Sequence, residues 1–130
     1  MTSAGRTSPE NVVIVRGVAR SKYARSAPRY EQNVKEAARE SFDAPLSSRD
    51  LSVDVRHFYT SGHAIDLDNL LKSILDGLKG AAYHDDSQIA KVSARRYNIS
   101  ESYVVEDPRP EEVELLTEGQ DFVVIGVSHI

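Results

Sequence analysis

Two aspartates one residue apart, Asp66 and Asp68, open the stretch DLDNLLKSILDGLKGAAYHDD, and two more, Asp85 and Asp86, close it. Lys72 follows Asp68 by four residues. Carboxylates gathered this way cost stability unless a positive charge sits among them, and a divalent cation removes that cost. Hard cations such as Mg²⁺ prefer carboxylate oxygens and keep several waters, which leaves room for a phosphate substrate. Lys72 could then face a transferring phosphoryl group or orient the attacking water. A plainer reading serves Lys72, Asp76 and Lys79 as well. Acids suit a helix start, and a lysine four residues from an acid adds only ~0.3–0.5 kcal/mol. That reading leaves Asp85 and Asp86 unexplained, since a turn before a strand is as well served by Asn or Gly.

The segment between the acid pairs is expected to be a helix. At ~100° per residue from Asp68, Leu70, Leu71, Ile74, Leu75 and Leu78 fall between ~200° and ~340°, an apolar stripe for the core. Asp68, Lys72, Asp76 and Lys79 form a separate edge stripe between ~0° and ~80°. Asp66 and Asp68 are expected in an extended entry, where residues two apart share a side, with Asp68 or Asn69 as the N-cap.

Around this helix, NVVIVRGVAR reads as a buried strand ended by Gly17, and SKYARSAPRY as a basic loop. YEQNVKEAARESF has the spacing of a three-turn helix, with Tyr30, Val34, Ala37, Ala38 and Phe42 on one face. DLSVDVRHFYT alternates with period two, a half-buried strand. SQIAKVSARRYNI is expected to set Ala90, Val92 and Ala94 against Lys91, Ser93 and Arg95. Residues 100–120 read as an acidic, proline-punctuated loop with one helical turn, and DFVVIGVSHI as a last strand. The expectation is one α+β domain over residues 1–130, a four-stranded sheet with two packed helices and a frayed terminus at 1–9. The residues alone leave open whether the sheet is mixed or antiparallel.

With 130 residues and no cysteine, the chain can form neither a disulfide framework nor a thiolate metal site. No apolar run is long enough to span a bilayer and no signal-peptide core is visible, so a cytoplasmic protein without a membrane partner is expected. The net charge of −4 conceals an asymmetry. Residues 1–40 carry eight Lys/Arg against four Asp/Glu, residues 41–100 seven against eight, and residues 101–130 one against eight. Arg16, Arg20, Lys22, Arg25 and Arg29, interleaved with Tyr23 and Tyr30, can contact phosphates, as can Lys91, Arg95 and Arg96 from the strand after Asp86. His57, His63, His84 and His129 are scattered and read as surface or turn histidines, although His63 and His84 adjoin the acidic pairs. No glycine-rich phosphate loop, nucleophile elbow or H-E-x-x-H occurs, and no organic cofactor is expected.

Asp66 to Ile89 resembles the core of the RusA family of Holliday junction resolvases, D-x-D-N-L-x-K-x-x-x-D-x-L-x-G followed by D-D-x-Q-[IV]. GVARSKYAR is similar to the family's segment after the first strand, with Ala19 where proline is usual. The resemblance implies a small mixed sheet and a homodimeric, Mg²⁺-dependent endonuclease, Mn²⁺ substituting, that nicks branched DNA at four-way junctions in recombination and repair. It implies a bacterial or phage source. It makes Asp66, Asp68 and Asp86 the metal carboxylates with Asp85 in support, Lys72 the catalytic lysine, and Asn69, Asp76 and Gln88 structural. Relatives commonly carry basic residues before D-x-D-N, where this chain has TSGHAI. The rivals are a relative that nicks flaps, forks or another nucleic acid, and a DNA-binding module that keeps the carboxylates as a structural cation site.

Overall fold

The computed structural model describes residues 11–130, so the terminus expected to fray, 1–9, lies outside the described residues. Along the chain come β1 (Asn11–Arg16), α1 (Ala27–Ser41), β2 (Leu51–Tyr59), α2 (Leu67–Leu78), a 3₁₀ turn (Asp86–Gln88), β3 (Ile89–Asn98), α3 (Pro110–Leu116) and β4 (Phe122–His129). The sheet order is β1-β4-β2-β3. β4 lies between β1 and β2 and is antiparallel to both, while β3 joins the far edge of β2 in parallel. The sheet is therefore mixed, in an α+β domain.

Each element follows from its side chains. In β2, Leu51, Val53 and Val55 are fully buried on the face that receives the helices, as the period-two pattern requires. β4 is buried on both faces from Phe122 to Val127, which suits a central strand with a core on either side. α1 begins earlier than the apolar spacing suggests, because Pro28 fits the first turn, where its missing N–H is no loss. Its Tyr30, Val34 and Ala38 join Leu70, Ile74 and Leu78 of α2 over the sheet. In α2, Ser73 and Gly77 are buried, whereas Leu71 and Leu75 are only half-buried. The buried face is rotated toward α1 from the purely apolar stripe.

Gly77 explains that rotation. A Cβ there would lie 2.6 Å from Val34 Cβ and 2.8 Å from the Glu31 carbonyl oxygen. The two helices touch backbone to side chain at this point. Gly77→Ala is expected to lower stability by ~1–3 kcal/mol through overpacking, even though alanine is the better helix former by ~1 kcal/mol. Urea unfolding reads this directly, and a midpoint that stays or rises would contradict it.

The opposite sheet face corrects one expectation. Residues 100–120 were expected to hold a loop with one helical turn, and they contain a third helix, α3. It packs Leu115 on Phe58, Phe122 and Val124, beside rings stacked at 4.5 Å (Phe58–Phe122) and 4.8 Å (Phe58–Tyr97). Its anchor is a fully buried carboxylate, Glu112, which accepts from Arg56 Nη1 at 3.0 Å, Arg109 Nη1 at 3.2 Å and the Arg109 backbone N–H at 2.8 Å. A buried charge requires such pairing, and two guanidinium groups supply it.

Candidate active site

β2, α2 and β3 form a parallel crossover, so α2 runs back along the two strands. The end of β2 and the start of α2 lie at one end of the sheet, and the end of α2 and the start of β3 at the other. Asp66 and Asp68 therefore stand apart from Asp85 and Asp86, with the twelve residues of α2, about 18 Å of helix, between them. All four carboxylates are exposed.

At the first end, Asp66 is the extended N-cap residue and Asp68 already lies in the first helical turn. The N-cap is thus neither Asp68 nor Asn69, and the same-side argument for an extended pair does not describe this geometry. Asp66 makes no side-chain cap, and neither carboxylate accepts a hydrogen bond from the described residues. One contact holds the backbone just before Asp66, and another ties the middle of α2 to the basic loop. Arg96 Nη1 donates to the Ile65 carbonyl at 3.1 Å, and Ser73 Oγ ties α2 to the basic loop through the Arg20 carbonyl at 2.9 Å. That loop brings Tyr23 to Lys72, whose Nζ donates to the Tyr23 hydroxyl at 3.1 Å. This hydrogen bond, with the charge of Asp68 adding a smaller share, raises the Lys72 pKa. Lys72 is a cation at neutral pH, suited to hold negative charge and unsuited to act as a base.

Along the same edge, Lys22 bridges Asp76 at 2.6 Å and Glu31 at 3.0 Å. Hydrogen bonds to these two acids raise its pKa, Asp76 contributing most. Asp76 is thereby a strut between α2, the basic loop and α1.

At the other end, Gln88 is buried and every polar group of its side chain is used. Its Oε1 accepts from the N–H groups of His84 (2.7 Å) and Asp85 (2.9 Å), and its Nε2 donates to the carbonyls of Leu46 and Ser48, both at 2.8 Å. Gln88 shapes the loop that displays Asp86. Asp85 closes the capping box of the 3₁₀ turn, accepting from Ser87 N–H at 3.0 Å, and pairs with Lys79 at 3.3 Å. The Ser87 hydrogen bonds, then Lys79, hold its pKa down to about 2. Tyr83 places Asp86 relative to the helix. Its hydroxyl donates to the Leu75 carbonyl at 2.7 Å, and burial first, then the charges of Asp86 and Asp76, raise its pKa.

The eight candidate phosphate-binding cations are not equivalent. Arg16 pairs with Glu118 at 3.1 Å, Lys22 is bridged, and Arg96 supports the Asp66 loop. Arg20, Arg25, Arg29 and Lys91 have no side-chain partner among the described residues. A bulge at the start of β3 sets Leu51 opposite Ile89 and Ser52 opposite Lys91. From Lys91 on the expected alternation holds, with Val92 and Ala94 beside Val53 and Val55, and Lys91, Ser93 and Arg95 on the other face. Ser93 bonds Asp54 at 2.7 Å on the α3 side, and Arg95 stacks on Tyr97 and reaches Glu106 at 3.5 Å. Arg95 thus projects from the face opposite to Arg96.

The histidines separate in the same way. His57 is fully buried, neither ring nitrogen has a described partner, and burial lowers its pKa to about 4. It is neutral and packs against Tyr59 at 5.1 Å. His84 is exposed. His63 is held by Asp121, a buried residue 58 positions away that no sequence pattern singled out.

No three His, Asp or Glu side chains among the described residues are grouped closely enough to hold a metal ion together. Asp66 and Asp68 offer two carboxylates. Mg²⁺ is commonly held by one or two carboxylates, the remaining positions going to water and substrate phosphates. The donor set fits a hydrated hard cation taken up together with a phosphodiester.

The family described as Endodeoxyribonuclease RusA matches residues 9–109 of the 130. The chain belongs to the RusA endodeoxyribonuclease family. No curated protein matches it. The match spans β1 to β3 and stops before α3, so both carboxylate pairs, Lys72 and the basic loop lie inside it. No helix among the described residues is long and apolar enough to cross a membrane.

Proposed function

We propose that this protein is a divalent-metal-dependent endonuclease that nicks branched DNA, four-way junctions foremost, in recombination and repair. The observation that carries the reading is the exposed edge of α2. It holds Asp66 and Asp68 with Lys72 one turn further on, in a member of an endodeoxyribonuclease family. Asp66 and Asp68 would hold Mg²⁺ or Mn²⁺, which supplies charge at the scissile phosphate and makes water a stronger acid. Lys72, steadied by Tyr23, neutralises charge that develops on the phosphoryl oxygens. Arg20, Arg25 and Arg29 take neighbouring phosphates.

The homodimer enters through Asp86. In one protomer it stands across the length of α2 from Asp66 and Asp68. A two-fold axis that sets two α2 helices antiparallel would carry the partner's Asp86 to the Asp66–Asp68 end, and would do so twice. Two matching sites suit two strands of a symmetric junction. The absence of Lys and Arg from residues 60–65 favours, as a second reading, a relative that acts on forks or flaps.

The test combines labelled four-way, fork, flap and duplex DNAs, each with Mg²⁺ and with EDTA, and sedimentation of the protein alone and bound. Paired nicks in the four-way junction, abolished by EDTA, with a dimer at micromolar concentration, are expected. Cleavage undiminished in EDTA would remove the metal from the reading. A monomer that cuts only forks or flaps would replace the first reading by the second.

A further inference from the structure

His63, three residues before Asp66, is the most deliberately oriented side chain outside the proposed catalytic group. Its Nδ1 lies 3.0 Å from Asp121 Oδ2 and 2.9 Å from Thr60 Oγ1. Asp121 sits at the entry to β4 with its side chain 3% exposed. Its other oxygen accepts from the Thr60 hydroxyl at 2.8 Å and the Thr60 N–H at 3.1 Å. A carboxylate can only accept, so the His63 proton facing it is on Nδ1 and the opposite nitrogen, Nε2, is left for a ligand. A buried carboxylate behind an imidazole fixes both the tautomer and the direction of the ring.

The ring does not face open solvent alone. His63 lines a cleft of about 160 Å³ between the loops 18–24 and 62–65, with Arg20, Ser21, Ala24, Gly62 and Ile65. Arg20 has no side-chain partner among the described residues, and its backbone is fixed by Ser73. The two loops that wall this one cleft thus contribute an arginine without a side-chain partner and a histidine oriented by Asp121. Both walls adjoin the Asp66 end of α2, since Ser73 ties one to the helix and Ile65 leads directly into it.

We propose that this cleft is a subsite for a DNA phosphate beside the one to be cut, bound by Arg20 and by His63 Nε2–H, with Asp121 as the positioning residue. The inference rests on the DNA-cleaving reading above and adds a contact to it. With a phosphate at Nε2 and Asp121 at Nδ1, the ring lies between two anions and donates on both sides.

Binding of a labelled four-way junction in EDTA, at about pH 6 and over a range of salt, separates this from a structural role. His63→Ala is expected to weaken binding roughly 5- to 10-fold and to lower the log–log salt slope by ~0.9, one phosphate contact. His63→Arg should restore affinity and slope, because it returns a cation that needs no Asp121 behind it. Asp121→Asn should weaken binding in the His63 protein and add nothing in the His63→Ala background. A residue that merely ties the 60–65 loop to β4 predicts that arginine fails as badly as alanine, with a lower melting temperature for both. That result, or an unchanged slope in His63→Ala, overturns the subsite while leaving the nuclease reading intact. Failure of the unaltered protein to bind either junction or duplex DNA overturns both.

Discussion

Asp68→Asn is expected to abolish cleavage, a loss of 10³-fold or more in single-turnover rate, while the protein folds and binds DNA at least as tightly as before. Asp68 is exposed, accepts no hydrogen bond from the described residues and lies in the first turn of α2. Its removal therefore costs the fold little, an interaction with the helix dipole worth a few tenths of a kcal/mol and a weak one with the Lys72 charge. Binding should not weaken, because an unfilled carboxylate repels the phosphates it sits among. Loss of one of the two proposed ligands should also be visible without DNA cleavage, as a weaker Mn²⁺ titration. An asparagine variant that cuts at the normal rate would end the assignment of Asp66 and Asp68 as the cation site.

Lys72→Ala should slow single-turnover cleavage by ~10²-fold, about 2.7 kcal/mol of transition-state stabilisation. The structure makes this sharper than the spacing alone could. Lys72 is exposed and its described hydrogen bond goes to Tyr23, so neither the core nor a cap depends on it. Metal affinity should hold or rise, since a nearby positive charge is gone. Lys79→Ala is the control on the same helix edge. Lys79 pairs with Asp85 across an exposed surface, a contact worth little, and that variant should cut nearly as the parent does. Equal rates for the two variants would return Lys72 to the status of an ordinary helix-surface lysine.

The strands and the two long helices were legible because their burial follows simple periods. Val53 and Val55 alternate into the core, and Val34, Ala38, Ile74 and Leu78 recur at helical spacing. The carboxylates and Lys72 were legible as a motif of types and intervals. The helix between Asp68 and Asp86 was expected as well; what the spacing could not reveal is that β2 and β3 pair in parallel, so that this helix runs back along the sheet and holds the two acid pairs apart. α3 was hidden for a different reason. Its segment is acidic and opens with Pro110, which reads as a loop, and its docking depends on burying Glu112 between Arg56 and Arg109, partners supplied from 56 and 3 residues away. The Asp121–His63 contact crosses 58 residues and involves types that are common on any surface.

The placement of α3 has an electrical consequence. The segment that carries one basic residue against eight acidic ones is drawn onto the sheet face away from α1 and α2 by Glu112 and Leu115. Arg20 and Arg25 of the basic loop and Arg29 of α1 belong to the helix side, where the loop is tied to Ser73 and Lys72 through the Arg20 carbonyl and Tyr23. The acids of the α3 face meet cations from earlier in the chain, Arg16 with Glu118, Arg56 with Glu112 and Arg95 with Glu106, so its acidic excess is partly offset. The net charge of −4 slows random approach, and under the proposed function the arginines that remain unpaired would favour arrival by the helix side.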